Sequence, residues 1–280
     1  MSKWLCKILA VILAAFMVSG SLSMPAVLAE TADQTTTGDS TTPQKPVGEW
    51  KQIKNYFYYY QDGKKLTGLK EIGSNTYYFK SNGSQLTGWR KIGGSYYFFK
   101  VVNGAGGYMV KNKKVNGIQL DANGKAKLNT KRAKRKTKLM ARCAKIMDQY
   151  TKPGQSKAKK LKKAFQVAKK KYPRKNIHHW RKSKDWDIYY AEYIINHRNG
   201  DCYCQGAFLA YLANAIGYSN VKAISSGGHG WAQINNKVYD PNWSFIIGDR
   251  LCYAVTRAQS GKGRRQPWFA CSKYKKDLRK

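Results

Sequence analysis

The segment "LTGLKEIGSNTYYFKSNGSQ" (residues 66–85) is followed at once by a near copy, "LTGWRKIGGSYYFFK" (86–100), so that Thr67-Gly68 and Thr87-Gly88 recur twenty positions apart. Upstream, "EWKQIKNYFYYYQDGKK" (49–65) has the same order of features: Trp50, Ile53, an aromatic run Tyr56–Tyr60, then Asp62-Gly63. Apolar and aromatic runs broken by Gly-Ser-Asn and Asn-Gly predict β-hairpins. A lone hairpin of this size is marginal, whereas stacked hairpins share a core. The repeat therefore requires a hairpin solenoid over residues 49–128. Within it "GGYMVKNKKVNGIQLDANGKA" (106–126) reads as a decayed further copy.

The flanks restrict where such a chain works. Lys3 and Lys7 precede an apolar run from Ile8 to about Met17, and Val27-Leu28-Ala29 is a small-residue cleavage pattern. Residues 1–29 are expected to be a signal peptide, leaving no membrane-spanning segment after its removal. Residues 30–48, rich in Thr, Ser, Asp and Pro, predict a disordered linker. Five cysteines follow the signal (Cys143, Cys202, Cys204, Cys252 and Cys271), so at least one thiol is unpaired. The formal net charge of +37 attracts polyanions and leaves the fold open. For an exported chain the expected partner is an anionic cell surface, with no nucleic acid.

The hairpin units resemble the choline-binding and glucan-binding repeats of Gram-positive surface proteins, through "TGW", "YYF" and "NGS". The resemblance implies a bacterial cell wall as partner, through choline-substituted teichoic acid or glucan. It also implies that a Trp and Tyr residues cage a choline headgroup by cation–π attraction. The implied ligand-binding residues are Trp50, Tyr59, Tyr78, Trp89 and Tyr97. Leu69 stands where the pattern has Trp. The same aromatics also serve to hold the hairpins together.

Residues 129–280 change character. "TKRAKRKTKLMARCAKIMDQY" and "SKAKKLKKAFQVAKKKY" carry apolar residues at helical spacing, separated by Pro153-Gly154, and Pro173 ends the second. They predict two amphipathic helices with cationic outer faces, either simply solvated or binding anionic polymers. "DWDIYYAEYIINHRNG" predicts a third helix ending at Gly200, with a buried stripe of Trp186, Tyr190 and Ile194.

"NGDCYCQGAFLAYLANAIGY" (199–218) predicts a fourth helix, with Asp201 as N-cap and Gly217 as C-terminal cap. Cys202 falls in its first turn, where free amides and the helix dipole favour a thiolate; Cys204 shares that turn. Downstream, Trp231–Ile234 and Lys237–Asp240 read as strands joined at Asn235-Asn236. That turn places His229 diagonal to Asp240 and opposite Asn242. An imidazole beside a carboxylate is the base and orienter that a cysteine nucleophile needs. A metal site from Cys202, Cys204 and His229 is the rival chemistry, but no second paired motif accompanies it.

Residues of about 185–245 resemble the transglutaminase-like core, through "GDCYC", the Ala-rich helix, "GHGW" and "VYDPNW". The resemblance implies an α+β, papain-like fold, with a Cys-bearing helix packed on an antiparallel sheet, and a catalytic Cys202, His229 and Asp240. Metal and cofactor are none. Gly217 lies fifteen positions after Cys202, the family's spacing, which selects Cys202 over Cys204. Gln205 and Gly206 depart from the family's aromatic and Ala. The expected activity is acyl chemistry on amide or peptide bonds of a peptide or protein substrate. It is either peptidase or amidase hydrolysis or transglutaminase-type transfer, in a secreted, wall-associated enzyme. The Cys202 N–H is the expected oxyanion donor, with Gln205 as a side-chain candidate. The alternative function is a non-catalytic wall-binding surface protein or adhesin with a vestigial triad.

Overall fold

The computed structural model describes residues 48–176, 180, 182–256, 259 and 274–280. The expected signal peptide and all of the linker but residue 48 lie outside the described residues, as do Cys6, His178, His179 and Cys271. The described residues belong to one compact unit.

Three hairpin units open it. β1 (Glu49–Ile53), β2 (Tyr56–Gln61) and β3 (Lys64–Lys65) form one antiparallel sheet; β4 (Gly68–Ile72), β5 (Asn75–Phe79) and β6 (Gln85–Leu86) form a second. β7 (Gly88–Ile92) and β8 (Ser95–Phe99) form a third. Ile53 faces Tyr56, Ile72 faces Asn75 and Ile92 faces Ser95, so every hairpin closes through a two-residue turn. Gly93 and Gly94 both have positive φ (53° and 82°), the backbone that matches strand twist. The decayed copy keeps only β9 (Lys114–Val115) and β10 (Ile118–Gln119), turned at Asn116-Gly117.

Among the described residues five α-helices follow: α1 (Lys131–Tyr150), α2 (Lys157–Gln166), α3 (Trp186–His197), α4 (Cys202–Ala215) and the short α5 (Ser244–Ile247). A single π-turn, Val167–Lys171, extends α2 up to Pro173. α1 starts on Thr130, whose side chain accepts from the Ala133 N–H, and buries Leu139, Cys143 and Met147 as its sequence spacing requires. The expected stripe of α3 is buried, but the helix ends three residues earlier than expected, at His197. Arg198 takes the left-handed cap (φ 62°). Gly200 serves a different need: a Cβ there would lie 2.4 Å from the Cys204 Cβ.

A five-stranded antiparallel sheet completes the unit, in the order β14-β13-β12-β11-β15. Its strands are β11 (Val221–Ser225), β12 (Gly230–Ile234), β13 (Lys237–Tyr239), β14 (Tyr253–Val255) and β15 (Tyr274–Asp277). Val221, Ala223, Ala232 and Ile234 join the main core with α4, while Ile224, Trp231, Val238 and Val255 form a small cluster of their own. α4 is buried from Tyr203 to Asn214, on every side rather than along one stripe. An Ala-rich helix apolar all round has no solvent face to offer.

The hairpins and helices share this core across residue 128. Trp89 is 2% exposed and belongs to it, and its indole N–H donates to Asn116 Oδ1 at 3.1 Å. Arg90 clasps both carboxylate oxygens of Asp148 on α1, at 2.6 and 3.1 Å. Two lysines of the expected cationic faces are buried instead. Lys160 Nζ donates to the Pro153 carbonyl at 2.7 Å. Lys136 Nζ donates to the carbonyls of Asn116, Leu278 and Lys280, and burial lowers its pKa to about 8. Lys136 thus ties hairpins, α1 and β15 at one point. Lys136→Met is expected to lower stability by about 1–3 kcal/mol, because three carbonyls lose their donor; an unchanged denaturation midpoint would refute this role.

Candidate active site

α4 and β12 approach so closely that only glycine fits at two points. A Cβ on Gly206 would lie 2.6 Å from Trp231 Cα and N, and one on Gly230 would lie 2.8 Å from Tyr203 Cα. Glycine at position 206 therefore has a packing reason. Tyr203 adds a third tie, its hydroxyl donating to the Gly227 carbonyl at 2.8 Å. These contacts hold the start of α4 against the segment carrying His229. Gly206→Ala is expected to cost about 1–3 kcal/mol, because backbone rather than a flexible side chain blocks the added methyl. It should also slow Cys202 alkylation as helix and strand separate; unchanged chemical denaturation together with an unchanged alkylation rate would exclude this.

The two cysteines part at the first turn of α4. Asp201 caps it, accepting from the Cys204 N–H at 3.0 Å. Cys204 is fully buried beside Gly200, and burial pushes its thiol well up. Cys202 is partly exposed and hydrogen-bonded through its side chain to His229. The Cys-x-Cys pair consequently does not converge on one point, as a shared metal would need. Cys143, Cys202, Cys204 and Cys252 are all free thiols.

His229 is 6% exposed, between the rings of Trp231 (6.1 Å) and Trp243 (5.9 Å, edge-on). Its Nε2 meets Asp240 Oδ2 at 2.5 Å, which leaves Nδ1 for the Cys202 sulfur. Burial alone would lower the imidazole pKa; the Asp240 charge and the hydrogen bonds to Asp240 and Cys202 overcome it and raise the value to about 10. Asp240 is wholly buried, and its second oxygen accepts from the Trp243 N–H at 2.8 Å. A carboxylate held on both oxygens is a rigid orienter.

The turn forms as expected, with Asn235 and Asn236 at positive φ (47° and 64°) and Ile234 paired to Lys237. Strand pairing stops at Tyr239, however, and Asn242 has a different partner. Asn242 Nδ2 donates to Gln205 Oε1 at 2.9 Å. Gln205 Nε2 in turn donates to the carbonyls of Ala168 (3.1 Å) and Tyr172 (2.8 Å). Both amides are thus spent on anchoring the π-turn. Gln205 Nε2 is therefore occupied, and the side chain bonded to His229 Nε2 is that of Asp240. The Cys202 N–H opens α4 with no intrahelical carbonyl to reach, and it stays available. His197 lies elsewhere, stacked on Tyr193.

Among the aromatics, Trp50 meets Tyr59 edge-on at 5.3 Å. Tyr78 is on the other side of β5, stacked on Phe99 at 5.7 Å. Tyr97 bridges to Lys125, and Trp89 is buried in the core. The residue that joins Trp50 and Tyr59 is Tyr77, 5.2 Å from the Trp50 ring, with Phe79 behind it at 5.9 Å. Alternation separates Tyr77 from Tyr78, but "TYYF" does not say which of the two faces Trp50.

Residues 66–113 match the model of the choline-binding repeat. These residues are choline-binding repeats. Among solved structures, the choline binding domain of Spr1274 from Streptococcus pneumoniae is 32% identical over 29% of this chain and 96% of its own, with a TM-score of 0.26. The multimodular pneumococcal cell wall endolysin from phage Cp-1, complexed with choline, is 25% identical over 32% of this chain and 27% of its own, with a TM-score of 0.26. An alternansucrase in complex with isomaltononaose is 30% identical over 29% of this chain and 8% of its own, with a TM-score of 0.19. No curated protein matches the chain. Among the described residues no helix is long and apolar enough to cross a membrane.

Proposed function

We propose that the chain is a cell-surface protein that docks on choline-bearing wall polymer and carries a cysteine acyl-transfer centre on a papain-like, transglutaminase-type core. The choline-binding repeats support the docking half, and they equally suit a wall-binding adhesin without catalysis. One observation carries the catalytic half. A partly exposed Cys202 at a helix N-terminus is hydrogen-bonded to a buried His229 that is fixed by Asp240. A helix, a strand end and a turn converge on that point, an arrangement that packing alone does not require.

In this reading the Cys202 proton already resides on His229 Nδ1 before substrate arrives, and the sulfur attacks the carbonyl carbon of an amide. The Cys202 N–H faces the developing oxyanion. His229 then protonates the departing amine, and water or a second amine discharges the thioester. Asp240 keeps Nδ1 turned to the sulfur and stabilises the imidazolium. Trp231 and Trp243 shield that pair from water.

The catalytic half is tested with p-nitrophenyl acetate: a burst of one nitrophenol per chain is expected, lost in Cys202→Ala. A wild-type protein that gives no burst but still binds choline would leave the adhesin reading standing. For docking, Trp50→Ala is expected to weaken choline binding about tenfold in calorimetry, because the central face of the Trp50–Tyr59–Tyr77 cluster is lost. Trp89→Ala should instead cost about 3–5 kcal/mol of stability as a core deletion. Equal choline affinity in both variants would move the choline site away from Trp50.

A further inference from the structure

A groove of about 790 Å³ runs between the second and third hairpin units and α1. Tyr78 and Tyr96 line it from the hairpins, both half-buried, and Trp89 lies at its base. Its one lining carboxylate, Asp148, is held by Arg90. Arg142 donates to the neutral amide oxygen of Asn196. That leaves Lys80, Lys91, Lys138 and Lys145 on the walls with no acidic partner among the described residues.

We propose that this groove binds the backbone of a phosphodiester-linked wall glycan, separately from any choline headgroup. The wall as the source of that polymer rests on the docking reading above; the groove's chemistry does not. Unneutralised lysines repel a choline ammonium, so Tyr78 and Trp89 are poorly placed as cage walls here, while the same lysines attract phosphate. Lys138 and Lys145 stand two helical turns apart, roughly 10 Å along the axis, a spacing that lets the two ammonium groups meet successive phosphates of one chain. The volume lies in the range of whole ligand pockets, far beyond a single small anion. Tyr78 and Tyr96 give the units between phosphates an apolar surface to lie on. A chain alternating anionic and neutral units matches both features; a lone anion or a lone ammonium matches neither.

The test uses the full chain and fluorescent poly(glycerol phosphate) bearing no choline. Anisotropy is read across a salt series with choline chloride held at saturation. Lys138→Gln with Lys145→Gln should weaken binding about tenfold at low salt and flatten the log–log salt slope by roughly 1.4, two phosphate contacts' worth. Lys131→Gln with Lys134→Gln removes equal charge from α1 outside the groove and should change affinity less than about twofold. Equal losses in the two doubles would reduce the effect to diffuse charge and overturn the site. So would loss of binding on saturation with choline, which would place the polymer in the aromatic cages. Single-stranded DNA of matched charge that binds as tightly and loses affinity with the same lysines would overturn the assignment to a wall glycan. Failure of docking reads out differently, as absence of choline binding at Trp50.

Discussion

Asp240→Asn is expected to slow acylation of Cys202 by on the order of 10³-fold while the chain stays folded. The amide keeps the shape that Trp243 and Cys252 pack around. It removes the charge that holds His229 protonated, and its NH₂ cannot accept a proton from Nε2. Without that charge the imidazolium is no longer stabilised, so transfer of the Cys202 proton to His229 is disfavoured. A burst at the wild-type rate would show that Asp240 does not orient His229. The same variant has a signature in stability. His229 has a folded pKa of about 10 against an ordinary value near 6.5. Its bonding with Asp240 thus stabilises the native state fully below about pH 6.5 and is lost as pH rises through about 10. The difference between wild type and His229→Gln isolates this contribution, a few kcal/mol at most for so buried a pair. In Asp240→Asn only burial remains as the main influence, so the imidazole pKa drops below its ordinary value. Stability should then rise with pH between about 5 and 7, where the wild type is level at first and begins to fall near pH 6.5. Denaturation midpoints across that range read the sign directly, and a flat profile in the variant would contradict the assignment.

Brief iodoacetamide treatment at neutral pH is expected to label Cys202 at least roughly a thousandfold faster than Cys204. The contrast has two independent sources. Cys204 is fully buried between Gly200 and α3, and its thiol is pushed up by burial and then by Asp201. Cys202 is partly exposed and bonded to a protonated imidazole. His229→Gln should slow Cys202 and leave Cys204 unchanged, which separates electrostatic activation from exposure. Peptide mass mapping that found comparable labelling of the two cysteines, or His229→Gln labelled like the wild type, would remove Cys202 from the nucleophile's role.

Local chemistry made several of these positions readable before any tertiary contact. The two-residue turns of the hairpins, the Asn235-Asn236 turn, the Asp201 cap and the buried stripes of α1 and α3 follow from φ preferences, short side-chain acceptors and helical spacing. Each acts within a few residues, which is why sequence carries it. Misreadings fell where a long-range contact decided. α3 ends on Arg198, whose guanidinium donates to the distant Tyr172 hydroxyl, while Gly200 packs against Cys204. Gln205 looked available, but the carbonyls it binds are more than thirty residues away. Lys136 and Lys160 read as surface charge until distant carbonyls surrounded them.

The sequence by itself determined that stacked hairpins precede a cysteine-bearing helix and a His–Asp hairpin, since periodicity and turn residues are local properties of the chain. The spacing to Gly217 singles out Cys202, but what physically turns that thiol to the imidazole is tertiary: the Gly206 and Gly230 contacts that set α4 against β12. So is the choice of Tyr77 over Tyr78 beside Trp50. Alternation gives every strand two faces, and only the packing of neighbouring hairpins and α1 settles which one is covered.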